Sequence, residues 1–227
     1  MRDLDWLARH GVPARDVTES SSVLGVMGPR SRALLASLSD DDWSDEGFPF
    51  ATSREARVAG VPLRATRMTY VGEVGWELMV PVADAGVVYD AVVAGGATDA
   101  GYYAIESLRL EKGYRAFGRE LTPDYGPVEA GLVFATALKG DKDFLGRSAL
   151  VAHREELGAG GPRRRLVSLV VHSPEPMLWG GELLLRDGVP VGQVTSAAWG
   201  ETVGSCVGLG YLRHASHSDV TGPSWRR

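Results

Sequence analysis

The fold of this chain is limited most by two β-type runs that lie close together in the sequence. The runs cover residues 63–70 and 76–80, and the residues between them, 71–75, include two glycines placed for a turn. Strands this close in sequence pair antiparallel, because a parallel pair needs a crossover of about a dozen residues or more. We therefore predict a β-hairpin in this part of the chain.

Helices are predicted between the β-type runs, but without a regular β-α-β rhythm. The predicted segments are a strand over residues 21–27 and helices over 30–38, 84–93 and 102–112. Asp84 is expected to cap the second of these helices, and Gly113 is expected to end the third. The irregular order of strands and helices favours an α+β fold over a doubly wound parallel sheet.

A glycine-rich segment over residues 157–162 is predicted to divide the chain, because it offers few side chains to bury. Further β-type runs follow over residues 165–171, 182–186, 189–195 and 206–212. Asp187-Gly188 is a strong hairpin turn between two of them. We predict an α+β domain over residues 1–157 and a small antiparallel β-barrel over residues 163–227. The predicted barrel core comprises Val167, Leu169, Val171, Val191, Val194 and Leu209.

Charge and cysteine content exclude several classes of function. The formal net charge of −5 leaves no basic excess, so nucleic acid and membrane surfaces are not expected partners. The single cysteine, Cys206, cannot form an internal disulfide and is predicted to be a small buried apolar residue. The first residues lack the pattern of a signal peptide, and no apolar run reaches membrane-spanning length. We expect a cytoplasmic protein.

Generic catalytic motifs are absent from the sequence. It contains no Gly-Lys-Ser/Thr phosphate loop, no Gly-x-Gly-x-x-Gly strand motif and no Gly-x-Ser-x-Gly elbow. His214 and His217 have the spacing of metal ligands but no neighbouring carboxylate cluster, so no metal site is predicted. The acidic residues 40–46 are expected to form a solvated loop.

Two charged stretches allow both a structural and a functional interpretation. Strand alternation places Glu77 on the opposite face from its apolar neighbours, so it could point into a cleft or lie on a solvated sheet face. In the helix over 102–112, Glu106 is spaced to pair with Arg109. Glu111 is likewise spaced to pair with Arg115. These pairs favour a structural role for the helix end.

Several ordered motifs together resemble the glycine cleavage T-protein family of folate-binding aminomethyltransferases. The first is Arg-x-x-Tyr-x-Gly-Glu-x-Gly-Trp-Glu over residues 67–77. Similar motifs follow in order over residues 107–115, 118–121, 127–132 and 143–147, and the runs 191–196 and 207–212 look like the family's C-terminal barrel. The resemblance therefore covers nearly the whole chain. The Leu-Glu-Lys-Gly-Tyr-Arg form over residues 110–115 looks most like the folate domains fused to dimethylglycine and sarcosine dehydrogenases.

The resemblance implies a cofactor and two site residues. The cofactor is tetrahydrofolate, which the resemblance implies captures the one-carbon unit of a small N-methyl amine as 5,10-methylenetetrahydrofolate. The resemblance also implies that Tyr70 lines the pterin pocket and that Glu77 hydrogen-bonds folate. Family members of this branch oxidise the amine with flavin, and this chain has no flavin fingerprint, so a flavin oxidoreductase domain or subunit is an implied partner. A non-catalytic folate-binding or interaction module, and folate-dependent O- or S-demethylation, remain alternatives.

Three departures from the family pattern shape these expectations. Ile105-Glu106 stands where glycine cleavage T-proteins carry an Arg-Asp pair, which favours the dehydrogenase-linked branch. No residue before Val23 resembles the family's Asn-Gly-Gly turn and acidic residue, so no catalytic acid is assigned and the folate domain is expected to be N-terminally incomplete. Residues 218–227 do not resemble the family's last strand. An incomplete fold is expected to leave an open sheet edge or an uncovered apolar face.

Overall fold

The computed structural model describes residues 2–157, 161–173 and 175–213. The chain divides into two compact units, Met1–Ala100 and Gly101–Arg227. The predicted glycine-rich boundary falls inside the second unit, and its residues 158–160 lie outside the described part of the chain. The division into domains over residues 1–157 and 163–227 therefore stays a prediction. His214, His217 and residues 218–227 also lie outside the described residues.

The first unit is built on a four-stranded antiparallel sheet. Its elements are α1 (Arg2–Arg9), β1 (Ser21–Met27), α2 (Ser31–Ser37), β2 (Ser53–Val58), β3 (Val61–Thr66), β4 (Gly75–Pro81) and α3 (Ala85–Ala94). The strand order is β1-β4-β3-β2, so β4 is a central strand, paired with β1 on one side and β3 on the other. The predicted hairpin is confirmed as the β3–β4 pair.

One face of this sheet carries the core of the unit. Trp76, Leu78 and Val80 alternate along β4 and are fully buried, as period-two strand geometry requires. Leu35 of α2 and Val88 of α3 pack into the same cluster. The two helices therefore cover the inner face of the sheet.

The structure corrects two local predictions in the first unit and adds one strand. Strand β3 ends at Thr66 and not at residue 70, so residues 67–74 form a loop. Strand β2 was not predicted. Asp84 precedes α3 but makes no capping hydrogen bond through its side chain. Its backbone lies in the helical region (φ −108°, ψ 0°), whereas a capping residue typically has β-region angles that aim the carboxylate at the free N–H groups.

In the described part of the second unit there are two α-helices and a second antiparallel sheet. Its elements are α4 (Tyr102–Lys112), α5 (Arg147–Leu157), β5 (Arg164–Val170), β6 (Leu183–Arg186), β7 (Val189–Gly200) and β8 (Ser205–Arg213). The strand order is β5-β8-β7-β6. Asp187 and Gly188 both have positive φ, 52° and 79°, as the predicted hairpin turn requires. Gly113 has φ 73° and ends α4 as predicted. The mixed architecture confirms the α+β class.

The core of the second unit differs in part from the predicted set. Val194 and Leu209 are buried as expected, and Cys206 is a buried residue. The other predicted core residues, Val167, Leu169, Val171 and Val191, are only half-buried. Leu110 of α4 instead packs with Leu166 and with the buried side chains of β8, so the helix decides which face of the sheet is covered. Within the described residues, no helix is long and apolar enough to cross a membrane.

Candidate functional site

Glu77 occupies the middle of the central strand of the first sheet. In the register of the sheet it lies opposite Gly25 of β1 and Thr66 of β3, on the outer face that the helices leave open. Its side chain is half-buried, and no hydrogen bond or ion pair joins it to any of the described residues. Thr66 donates its hydroxyl to Ser53 instead. Glu77 is therefore a carboxylate on a central strand with free acceptor capacity.

Glycines beside Glu77 leave room on this face. A Cβ at Gly25 would meet only the Cε of Met27, at 3.6 Å, so the surface beside the carboxylate is open. A Cβ at Gly75 would lie 2.6 Å from the Cγ of Met27, so that side chain already fills the space over Gly75. Val23 and Met79 add exposed apolar side chains on the same face as the carboxylate. Such a surface suits a flat, partly apolar molecule with N–H donors at its edge.

Tyr70, the second predicted site residue, lies on the loop over residues 67–74 and not on a strand. Its side chain is 37% exposed. The neighbouring residue Thr69 donates its hydroxyl to the sulfur of Met27 at 3.8 Å. Because Met27 lies on the same sheet face as Glu77, the loop is attached to the face that carries the carboxylate. A shared cleft for Tyr70 and Glu77 stays a prediction.

Arg67, the first residue of the family motif, has a structural role at the start of this loop. Its guanidinium donates to the carbonyl oxygen of Phe48 at 2.6 Å, pairs with Asp45 and lies 5.5 Å from the ring centre of Trp76. Hydrogen bonds from Arg32 and Arg67 lower the pKa of the Asp45 carboxyl. The predicted acidic loop is thus held by arginines and by its own buried Trp43.

A second polar cluster, centred on Arg109, is held together by hydrogen bonds within the second unit. The guanidinium donates to Glu106, to Glu120 at 3.1 Å, to Ser196 at 3.0 Å and to the carbonyl oxygen of Tyr114 at 2.8 Å. These bonds use all five N–H donors of the side chain. The hydrogen bonds from Arg109 lower the pKa of Glu106, while partial burial opposes this shift. The predicted Glu106–Arg109 pair is confirmed.

Glu120 connects this cluster to the second sheet. Its carboxylate accepts hydrogen bonds from the hydroxyl groups of Thr195 and Ser196, each at 2.6 Å, and from the N–H of Ala116 at 2.8 Å. Tyr211 donates its hydroxyl to the Glu120 carbonyl oxygen at 2.9 Å, and burial raises the pKa of this tyrosine. Sequence spacing does not predict the buried pair of Arg109 and Glu120. We infer a structural and not a catalytic role for the cluster.

The predicted pairing of Glu111 with Arg115 is wrong. Glu111 accepts hydrogen bonds from the N–H of Thr202 at 2.8 Å and from its hydroxyl at 2.9 Å. Arg115 donates to the carbonyl oxygens of Gly113 and Ala130. The helix ends at Gly113, between the two residues, so the four-residue helical spacing that would bring them together does not continue.

Two residues of the candidate site were not singled out by the sequence. Thr69 holds the loop, and Met27 lies between that loop and the strand of Glu77. A threonine three residues before a glycine is a sequence signal for a turn in which the threonine hydroxyl accepts backbone N–H groups, as Thr69 does from Gly72. Met27 could be found only after the β1–β4 register was known.

Comparisons with known proteins agree with the resemblance in the sequence. Residues 1–140 match the GCVT N-terminal domain, and residues 164–223 match the glycine cleavage T-protein C-terminal barrel domain. The chain is 45% identical over 210 residues to mitochondrial sarcosine dehydrogenase of Mus musculus, covering 91% of this chain and 22% of that protein. It is 33% identical over 222 residues to mitochondrial dimethylglycine dehydrogenase of Homo sapiens, covering 93% and 25%.

Shorter relatives give the same result. An aminomethyltransferase of Listeria monocytogenes is 35% identical over 214 residues, covering 93% of this chain and 58% of that protein. The solved glycine cleavage system aminomethyltransferase T of Bartonella henselae is 28% identical with a TM-score of 0.72, covering 85% of this chain and 52% of that one. The chain thus spans about a quarter or less of the two dehydrogenases and little more than half of these transferases.

Proposed function

The chain belongs to the glycine cleavage T-protein family, and from that membership we propose that it binds tetrahydrofolate and takes part in one-carbon transfer. The observation that carries this proposal is Glu77, a half-buried carboxylate without a partner among the described residues, on a central strand beside the exposed apolar side chains of Val23 and Met79. A carboxylate in this position can accept from two adjacent N–H donors at once, as the amide and amino edge of a pterin offers. The open surface at Gly25 fits a flat ring beside it.

The chemistry divides between the cofactor and the chain. Tetrahydrofolate, when bound, supplies the nucleophilic nitrogen that takes up the one-carbon unit. Glu77 orders the ring through its acceptor oxygens and stabilises positive charge near the reacting atoms. Tyr70 lines the pocket from the loop. No residue is assigned as the catalytic acid.

The one-carbon donor is proposed from the relatives. The similarity to proteins named sarcosine dehydrogenase and dimethylglycine dehydrogenase supports a small N-methyl amine as the donor and a flavin oxidoreductase domain or subunit as the partner. Transfer from an O- or S-methyl group is the alternative within the same chemistry. A cytoplasmic location remains a prediction.

The test of this proposal is a calorimetric titration with tetrahydrofolate of the wild-type chain and the Glu77→Gln variant. The variant should bind about thirtyfold more weakly, because the loss of one charge-assisted contact costs on the order of 2 kcal/mol. The change is nearly isosteric, so the fold should be retained. Glu46→Gln, at an exposed loop position in the same unit, is the matched control and should bind like the wild type.

Two other results would contradict the proposal. Equal affinities of the wild type and Glu77→Gln would make Glu77 a solvated carboxylate without a role in binding. No binding by either would favour the second candidate, a protein-interaction module. The exposed apolar side chains of Val23 and Met79 on the same face are the observation that favours this candidate.

A further inference from the structure

The hydroxyl of Thr69 uses its full hydrogen-bonding capacity within the first unit. It accepts from the N–H of Val71 at 3.2 Å and from the N–H of Gly72 at 3.1 Å, and it donates to the sulfur of Met27 at 3.8 Å. A hydroxyl group has one hydrogen and two lone pairs, so all three are engaged. Gly72 itself has φ 82°, a left-handed conformation that favours glycine. The hydroxyl of Thr69 therefore links the turn after Tyr70 to Met27.

Met27 connects this turn to the strand of Glu77. Residue 27 lies opposite Gly75 in the β1–β4 register, two positions from Glu77 along the same face. Its Cγ lies over Gly75, and its Cε reaches to 3.6 Å from where a Cβ of Gly25 would be. The Met27 side chain thus passes from beneath the loop toward the glycine opposite Glu77.

From this geometry we propose that Thr69 is a positioning residue, which through Met27 sets the loop of Tyr70 against the strand of Glu77. The inference rests on the proposed tetrahydrofolate site. Thr69 acts through the loop and does not itself touch the cofactor. Without its hydroxyl, the N–H groups of Val71 and Gly72 lose their acceptor and the loop samples other conformations. A ligand that needs Tyr70 in place must then order the loop as it binds, which weakens the affinity.

The experiment compares the wild type with Thr69→Val, which keeps the shape of the side chain and removes the hydroxyl, and Thr69→Ser, which keeps the hydroxyl. Calorimetry measures tetrahydrofolate affinity, and amide hydrogen exchange measures protection at Val71 and Gly72 without ligand. Thr69→Val should bind about tenfold more weakly, which corresponds to about one net hydrogen bond of lost preorganisation. The same variant should lose amide protection, and Thr69→Ser should restore both properties.

Thr18→Val is the matched control, because the hydrogen bonds of the Thr18 hydroxyl and N–H to other described residues stay within its own exposed turn, at Asp16. It should match the wild type in both measurements. If Thr69→Val does not fold, Met27→Ala tests the same connection from the strand side and should also weaken binding while the two amides stay protected.

The possible results separate the two proposals. A wild-type chain that does not bind tetrahydrofolate contradicts the proposed function itself. Wild-type affinity in Thr69→Val, or in Met27→Ala where that variant is used, leaves the proposed function intact and overturns the positioning role. A weaker affinity that Thr69→Ser does not restore also overturns it.

Discussion

Arg109 shows how much of a residue's role depends on partners far away in sequence. Helical spacing predicts its pairing with Glu106, and the structure contains that pair. The side chain is fully buried, however, because Glu120 and Ser196 also surround it, 11 and 87 residues away. A guanidinium with all its donors used stabilises the contact between α4 and the second sheet, and its removal leaves two carboxylates without their main partner.

We predict that Arg109→Met strongly destabilises the second unit. The substitution keeps much of the apolar volume but leaves buried Glu120 without its cation, which typically costs about 3–5 kcal/mol. Urea unfolding should show a lower midpoint than the wild type. Arg9→Met is the control, since Arg9 pairs with Asp5 at the surface and such pairs contribute little. Equal unfolding midpoints for the two variants would show that the buried cluster is not important for stability.

At the scale of single elements, the loop over residues 67–74 decides the shape of the candidate site. Its residues include β-formers, so the sequence extends β3 to Tyr70. In the structure the strand stops at Thr66, because Arg67 is drawn to Asp45 and to the carbonyl oxygen of Phe48. The chain then turns at Thr69 and Gly72 before β4 begins. The tertiary contacts of Arg67 are therefore the reason that residues 67–70 form a loop where the sequence predicts the end of a strand.

The packing of β1 on β4 predicts an effect of Gly75→Ala. The added Cβ would lie 2.6 Å from the Cγ of Met27 and 3.1 Å from its Cα, so both strands must shift. Such overpacking typically costs about 1–3 kcal/mol, and thermal unfolding should occur at a lower temperature. Gly86→Ala in α3 is the control, because a Cβ there meets nothing within 4 Å and alanine favours a helix. Wild-type stability of Gly75→Ala would contradict the close approach of Met27.

At the scale of the whole chain, two divisions of the sequence differ. The two family domains match residues 1–140 and 164–223, whereas the boundary in sequence between the two compact units falls between Ala100 and Gly101. Leu110 of α4 lies in one core with Leu166 of β5, and the N–H of Leu166 donates to the carbonyl oxygen of Glu129. These contacts join segments before and after the glycine-rich residues 157–162 into one unit.

The edge of the first sheet predicts self-association of the isolated chain. Among the described residues β1 pairs only with β4, and its sequence carries no charge, whereas the opposite edge strand β2 contains Arg54, Glu55 and Arg57. Val23 on β1 is 57% exposed. Uncharged edge strands tend to pair with other chains. The average mass measured by light scattering should therefore rise with protein concentration.

A lysine on this edge should suppress the association. Val23→Lys is expected to remain monomeric at concentrations where the wild type associates, because a charged residue discourages edge pairing. Val87→Lys on α3 is the control, since Val87 is similarly exposed, at 54%, but lies on a helix of the same unit. A monomeric wild type, or equal behaviour of the two lysine variants, would contradict an interface at β1.

The sequence by itself determined the features that depend on local chain geometry. Alternation along β4, the left-handed glycine after α4 and the Asp187-Gly188 turn follow from backbone preferences within a few residues. The ordered motifs were sufficient to identify the family, because they reflect the same local constraints together with the positions of Tyr70 and Glu77.

Only the tertiary structure decided the surroundings of those positions. The room beside Glu77 depends on Gly25, which the sheet register brings opposite it from 52 residues away. The attachment of the Tyr70 loop depends on Met27, and the burial of Arg109 depends on Glu120 and Ser196. Burial and hydrogen bonding are set by whichever residues the fold brings into contact, and sequence spacing carries that information only within a helix turn or a hairpin.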